Sequence, residues 1–598
     1  MPHHRRFILA LGLFFFILAN SWFSPVNATD DPLTAPLTKP VALHEHVWTD
    51  VGASVLRANG RSALSDPLPR AYHSLSLNVP MLQRVLEKAP HEFTREAERT
   101  AVILTLPLPS GENGRFRIVE SPIMAAGLAQ KFPSFKTYSG VSLDGSHITT
   151  RLSWTANGFH AAIVGPNSLS FVAPYSRGNV ESYIAYDDKD DIQPIPFQSE
   201  NDYIILEDQV QDYAENNELR AVTVQRAPTG DRIKVLRTAI AGPAEYTASE
   251  GGTVEGGLAA IVNHVNVMNV MFERELALRL ELVANNDQII FTDPATDPYT
   301  DYSFAENATA LNTYIGTENY DLGHFLTNGG GGVAVLGAIC NGSKASGKSG
   351  DHWRVIMHEM GHQLNALHTQ NSPNCGGGGA EVGSGVTIMS YAGVCGGDNI
   401  VGFYSVLRGY HVSSYDQMNS YLSARESCGY WLDTGNTIPV VDAGDENRGL
   451  TIPANTPFRL EGSATDGDGD DLTYSWDQYD FGPAGHPNEP VGNAPIFRAF
   501  ATMDDTWRIF PQLSDVVNNS QTFGELLPSY SRNLHMRLTV RDNRGGVAHD
   551  DIDIGVVDTA GPFRVLFPNS GESWQVGEEQ MILWDVADTD VAPVMIFL

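Results

Sequence analysis

The stretch His358-Glu359-Met360-Gly361-His362-Gln363-Leu364-Asn365-Ala366-Leu367-His368 constrains this chain more than any other. Two histidines four apart lie one above the other on one face of a helix, so both imidazoles can reach a single cation. Glu359 follows the first of them, where it can activate a water. The third histidine comes six positions after His362, and a continuous helix would point it elsewhere. The chain must therefore turn, and Asn365 suits the turn because Asn tolerates a left-handed conformation. Three neutral nitrogen ligands with a fourth position open describe a catalytic zinc site rather than a closed structural one. A bare H-E-x-x-H also arises by chance on a surface helix; the added His368 argues against that reading.

A second element follows, Thr387-Ile388-Met389-Ser390-Tyr391. Together the two resemble the metzincin clan of zinc endopeptidases, H-E-x-x-H-x-x-G-x-x-H followed by a Met-turn. The resemblance implies that His358, His362 and His368 bind Zn2+, that Glu359 is the general base, and that Met389 forms a hydrophobic floor under the metal. Within the clan the chain is most similar to the reprolysin-like, adamalysin-type peptidases in their secreted microbial form. Lys234-Val-Leu-Arg-Thr-Ala-Ile240, Gly251-Gly-Thr-Val254, Ala284-Asn-Asn-Asp287, Gly332-Val-Ala-Val-Leu-Gly337 and Gly383-Ser-Gly-Val-Thr-Ile-Met389 carry that similarity over roughly the middle third of the chain. Asn365 departs from it, standing where glycine is usual, and Thr369 stands where adamalysins carry Asp. Tyr391 sits two residues after the Met, as in astacins and serralysins, where that tyrosine can contact the zinc or the reacting oxyanion. Tyr391 is thus a candidate catalytic hydrogen-bond donor, with a packed loop tyrosine as the alternative.

At 598 residues the chain is too long for one domain. Acidic residues outnumber basic ones, 71 to 38, for a formal net charge of −33. That balance argues against a nucleic-acid partner and suits solubility in an extracellular medium. His3, His4, Arg5 and Arg6, the apolar run Phe7 to Leu18 and the small-residue end Val26-Asn27-Ala28 read as a secretory signal over residues 1–28. A membrane anchor would need about 20 apolar residues, and no later stretch is long and apolar enough for a transmembrane helix. Four cysteines occur, Cys340, Cys375, Cys395 and Cys428. An even count in an exported chain suggests disulfides, with three pairings open. The resemblance favours Cys340–Cys428 and Cys375–Cys395. A zinc-thiolate site competes, without a C-x-x-C pair to support it.

The expected fold class is multidomain: a β-rich propeptide, an α/β metzincin catalytic domain with a twisted mixed sheet, active-site helix and Met-turn, and C-terminal all-β Ig-like sandwich modules. Residues 29–230 read as the propeptide-like domain. Ala101 to Leu108 is a buried-strand candidate, and the strands around Ala156-Asn157-Gly158 form a hairpin. The segment has no cysteine, so latency must come from steric blockage or another ligand, such as a carboxylate. Asp202 to Glu218 and Arg226 to Gly230 look like an exposed, cleavable linker.

Residues 231–432 form the metalloprotease domain. It opens with a strand from Lys234, a helix capped by Thr253 and a one-face-buried strand through Leu278, Leu280 and Leu282. Gly332 to Ile339 is a strand, either at the edge above the cleft or interior. Asp351 is expected to cap the active-site helix. Glu381 reads as a solvated loop carboxylate, with an acceptor for a ligand histidine as the alternative.

Residues 438–558 resemble polycystic-kidney-disease-like or cadherin-like modules. Asp466, Asp468, Asp470 and Asp471 cluster in a Gly-rich turn that suits Ca2+, an Asp-Gly turn without metal being the equal alternative. Residues 559–598 begin a further β module that looks truncated.

The reading that follows is a secreted zinc metalloendopeptidase acting on extracellular protein or peptide substrates, with matrix or cell-surface contact through the β modules. The alternative is an adhesion or matrix-binding protein with a vestigial protease domain.

Overall fold

The computed structural model describes residues 47–58, 67–144, 147–166, 168–192, 202–205, 228–402, 405–407, 409–444, 450–569 and 571–586. The N-terminal apolar run, most of the linker and the last residues of the chain lie outside them.

The N-terminal region is built on an antiparallel sheet, nine-stranded among the described residues. Its strands are β1 (Trp48–Asp50), β2 (His73–Leu77), β3 (Val102–Pro107), β4 (Asn113–Glu120), β5 (Lys136–Ser142), β6 (Thr149–Thr155), β7 (Gly158–Val164), β8 (Leu169–Pro174) and β9 (Ser182–Asp187). They run in the order β1-β2-β9-β8-β7-β6-β5-β4-β3. The Asn157-Gly158 turn joins β6 and β7, with Gly158 at a φ of 91° that a side chain would resist. Alternation along β7 serves two cores. Phe159, Ala161 and Ile163 point into one, closed by helix α1 (Val79–Leu86). Ala162 and Val164 point into the other, shared with the following region.

That region is α/β. Strand β10 (Tyr203–Ile204) is followed by β11 (Arg232–Ala241), helix α2 (Val254–Leu276), β12 (Leu278–Leu282), α3 (Phe304–Tyr314), β13 (Leu322–Thr327), β14 (Gly332–Val335), β15 (Gly347–Gly350) and α4 (Trp353–Gln363). Short β16 (Gln370–Asn371) and β17 (Glu381–Val382), helix α5 (Val412–Ser423) and β18 (Tyr430–Asp433) complete it. The sheet order is β10-β14-β15-β13-β11-β12, with β18 antiparallel on β11. Most pairs are parallel, but β14 runs antiparallel to β15 and so sits reversed at the sheet's margin.

Thr253 caps α2, accepting from the Gly256 amide at 3.0 Å. The expected apolar face of α2 is buried, but so is most of its remaining surface, Ala259, Met268 and Asn269 included. The reason is that α2 is wedged between its own sheet and the N-terminal one, and Ile123, Leu128, Phe135 and Leu169 belong to the same core. The outward face of β12 differs from expectation for the same reason. Arg279 is buried, its guanidinium held by Glu92 of the N-terminal region at 2.5 Å and by Glu273 of α2 at 2.5 Å.

The C-terminal region is β-rich: β19 (Val440–Asp442), β20 (Leu450–Pro453), β21 (Phe458–Glu461), β22 (Ser463–Thr465), β23 (Thr473–Gln478), β24 (Trp507–Phe510), β25 (Arg532–Arg541) and β26 (Val547–Val557). The sheet β20-β26-β25-β23 and the pair β21-β24 share one core around Trp476, Phe497, Phe510 and Leu538. Buried ion pairs tie it to the α/β region, Arg541 to Glu275 of α2 at 2.9 Å and Arg537 to Asp416 of α5 at 2.7 Å. Two further strands, β27 (Arg564–Phe567) and β28 (Leu583–Asp585), pair with each other. No helix among the described residues is long and apolar enough to cross a membrane.

Candidate active site

Helix α4 supplies the first two histidines. It is capped by His352, whose Nδ1 accepts from the Arg354 amide at 3.2 Å; Asp351 is not the cap. Asp351 lies one residue too early, and its carboxylate is instead engaged with His264 of α2 at 2.5 Å. The helix ends in the turn the sequence demands. Asn365 adopts a φ of 79°, its amide reaches the His362 carbonyl at 2.8 Å, and the Ala366 amide reaches the Gly361 carbonyl at 2.9 Å. This pair of bonds closes the helix and reverses the chain, so that His368 returns to the other two imidazoles.

The three Nε2 atoms lie 3.1, 3.2 and 3.3 Å apart. The Nδ1–H groups of His358 and His362 donate to the carbonyls of Ile388 at 2.8 Å and Ala366 at 2.7 Å. Their Nε2 atoms are therefore the unprotonated ring nitrogens, and such nitrogens crowded together repel unless a cation lies among them. A tetrahedral zinc with bonds of 2.0–2.1 Å needs ligand nitrogens about 3.3 Å apart. Burial pushes His362 below the usual imidazole range and His368 down to about 4, keeping both neutral as ligands must be. The donor set fits zinc.

A fourth donor completes the cluster, and it comes from the linker. The Asp202 carboxylate stands 2.7 Å from His368 Nε2, 3.2 Å from His358 Nε2 and 3.3 Å from His362 Nε2. It is buried. Tyr203 covers the site, its ring 4.9 Å from that of His362 and 5.0 Å from that of His368. In the sequence Asp202 was only the first of several linker carboxylates; no spacing rule singles it out.

Glu359 is wholly buried beside this cluster, and both its oxygens lack a partner. Burial pushes its carboxyl well above the usual carboxylate range, and the charge of Asp202 acts in the same direction. It lies against β14, where a Cβ on Gly332 would fall 2.5 Å from Glu359 Oε1. Gly332→Val should therefore displace Glu359 and lower kcat by about 10²-fold or more, the scale of a misplaced general base, while metal content stays unchanged by atomic absorption.

The floor is built the same way. A Cβ at Gly361 would fall 2.4 Å from Met389 Sδ, so the helix needs glycine there for Met389 to pack beneath the histidines. The Met389 carbonyl also accepts from the Thr369 amide at 3.1 Å.

Glu381 is a correction to the sequence reading. It is buried rather than solvated, and accepts from Thr369 Oγ1 at 2.5 Å, Thr387 Oγ1 at 2.5 Å and the Val386 amide at 2.8 Å. It ties the residue after His368 to the loop that carries Met389. The Nδ1–H groups of His358 and His362 are held by backbone carbonyls, and Glu381 acts on the loop. Tyr391 is buried with its ring 4.4 Å from that of His368. Burial, and then the Asp202 charge, raise its phenol well above its usual value.

The disulfides are Cys340–Cys428 and Cys375–Cys395, the pairs the resemblance favours. The second packs on Tyr391. Asp466, Asp468 and Asp470 do lie close together, with Asp471 outside the group. Their partners are protein groups. Asp468 accepts from Thr437, Asp470 pairs with Arg544 at 2.6 Å, and Asp466 accepts from the amides of Asp468 and Asp470. Asp466 Oδ2 is buried and has no hydrogen-bond partner.

Residues 232–420 match the family model described as Metallo-peptidase family M12B Reprolysin-like. This segment, which holds every histidine of the site, is thus similar to the reprolysin-like metallopeptidases, a zinc-dependent family. No curated protein matches the chain. One solved structure, a nucleoside hydrolase-related hypothetical protein from Saccharophagus degradans associated with carbohydrate metabolism, matches at 17% identity. The match covers 35% of this chain and 47% of that one, about half its length, at a TM-score of 0.13 that bears on neither fold nor function.

Proposed function

We propose that the chain is a secreted zinc metalloendopeptidase that hydrolyses extracellular protein or peptide substrates. The observation that carries the reading is the convergence of three imidazole Nε2 atoms beside Glu359, a buried carboxyl without a partner. His358, His362 and His368 would hold the metal. A zinc ion there supplies Lewis acidity, polarising a carbonyl and lowering the pKa of water to about 7.

The chain's own residues do the rest. Glu359 takes a proton from the attacking water and delivers it to the leaving nitrogen. Tyr391, once relieved of the Asp202 charge, donates a hydrogen bond to the oxygen that becomes negative. With β10 displaced from it, strand β14 would offer an edge to an extended substrate backbone, and Gly332 would let that backbone come close. An edge that reads main chain favours peptides over small esters. The β-rich C-terminal region would provide contact with matrix or cell surface.

The test is casein hydrolysis by the zinc-loaded chain, before and after limited trypsin cleavage between 206 and 227. Hydrolysis should disappear when 1,10-phenanthroline removes the metal and return with one equivalent of zinc. A chain that binds zinc, has its linker cut and still leaves casein intact would sink the endopeptidase reading in favour of adhesion.

A further inference from the structure

We infer that Asp202-Tyr203-Ile204 is a built-in inhibitor, with the Asp202 carboxylate as the removable fourth ligand that keeps the site latent. The inference rests on the metallopeptidase reading for its purpose, but on separate observations for its geometry.

The segment does two things at once. Its side chains close the metal position: the Asp202 carboxylate lies within 3.3 Å of all three Nε2 atoms, and the Tyr203 ring lies tilted against His362 and edge-on to His368. Its backbone fills the edge that a substrate needs. Strand β10 pairs with β14, Tyr203 opposite Ala334 and Ile204 opposite Val335. The Asp202 carbonyl accepts from the Ala334 amide at 2.9 Å, and the Ile204 carbonyl accepts from the Leu336 amide at 3.0 Å.

Those bonds turn two of the segment's carbonyls away from the metal position. Hydrolysis needs a main-chain carbonyl between the metal position and Glu359. Here the carbonyls of Asp202 and Ile204 are turned to β14, and what enters the metal position is a side chain. A carboxylate ligand has no scissile bond. It also answers the missing cysteine, since the N-terminal region offers no thiol for this purpose. Burying an anion at a neutral site is costly unless a cation pairs with it, so the latch and the metal stabilise each other. A tether holds the carboxylate at millimolar effective concentration, which a free substrate must outcompete.

The experiment uses the full chain. Co2+ is loaded into Glu359→Ala, which keeps the chain from digesting itself, and into the same chain with Asp202→Asn or Asp202→Ala. The visible absorption of cobalt reports the exchange of a carboxylate for water. Peptide hydrolysis is then measured with zinc and intact Glu359, with and without each Asp202 change.

The expected result is an altered cobalt spectrum in both variants and a rise in kcat/KM of at least about tenfold without linker cleavage. Tyr203→Gly, which leaves the carboxylate in place and removes the covering ring, should give a smaller rise. It serves as the second variant should Asp202→Ala fold poorly. An unchanged cobalt spectrum in both Asp202 variants overturns the proposal. A changed spectrum with no hydrolysis by any variant supports the ligand and overturns the peptidase reading, so the two failures are separable.

Discussion

Glu359→Ala is expected to lower kcat/KM for a peptide substrate by about 10³-fold or more while the chain still binds one zinc. General acid–base catalysis contributes about 10²–10⁴, and Glu359 is the carboxyl that the site keeps buried and without a partner. It stands outside the histidine cluster, so metal analysis should find no loss of zinc. Thermal unfolding separates catalysis from support. A buried carboxyl with no hydrogen-bond donor is a destabilising feature in the folded chain. Removing it should therefore leave the unfolding temperature unchanged or raise it. A fall in both zinc content and unfolding temperature would instead make Glu359 a structural residue. Glu359→Gln, of nearly the same shape, should lose activity as Ala does, because shape is not what the reaction uses.

Much of this site was legible because local rules act alone there. The i, i+4 histidines, the left-handed Asn365 and the Thr253 cap depend on a few neighbouring residues, and each stands where its own chemistry puts it. The hairpin at Asn157-Gly158 is of the same kind. What stayed hidden depends on contacts between distant parts. Nothing local distinguishes Asp202 from the other linker acids; only its pairing with β14 carries it to the histidines. Glu381 looks solvated in a Gly-rich loop until Thr369, Thr387 and Val386 close around it. Asp351 reads as the helix cap because Asp is a good cap, but His352 is one residue nearer and His264 claims the carboxylate. Arg279 reads as the solvent face of an alternating strand, and becomes interior only because another region lies over it.

That last residue carries the second large effect. Arg279→Met should destabilise the chain by about 3–5 kcal/mol, the range for breaking a buried ion pair from one side. Its guanidinium joins Glu92 of the N-terminal region, at 2.5 and 3.0 Å, to Glu273 of α2, which Arg151 of β6 also contacts. Met fills a similar volume but leaves Glu92 without either of these bonds and Glu273 with one arginine fewer. The loss falls on the contact between the N-terminal and α/β regions, so limited proteolysis should find that contact opened before the rest unfolds. The pH dependence identifies the cause. Burial pushes Glu273 up, but Arg151 and Arg279 outweigh it and hold the carboxyl below its ordinary value. A carboxyl depressed in the folded state stabilises fully above its unfolded pKa of about 4.3, and that stability is lost as pH falls through the folded value. The wild-type unfolding temperature should thus hold near neutrality and drop on acidification below about pH 4. In Arg279→Met it should start lower and fall less steeply over the same range. Equal acid slopes in the two chains would show that Arg279 is not what holds the Glu273 charge, and that the contact is held by packing alone.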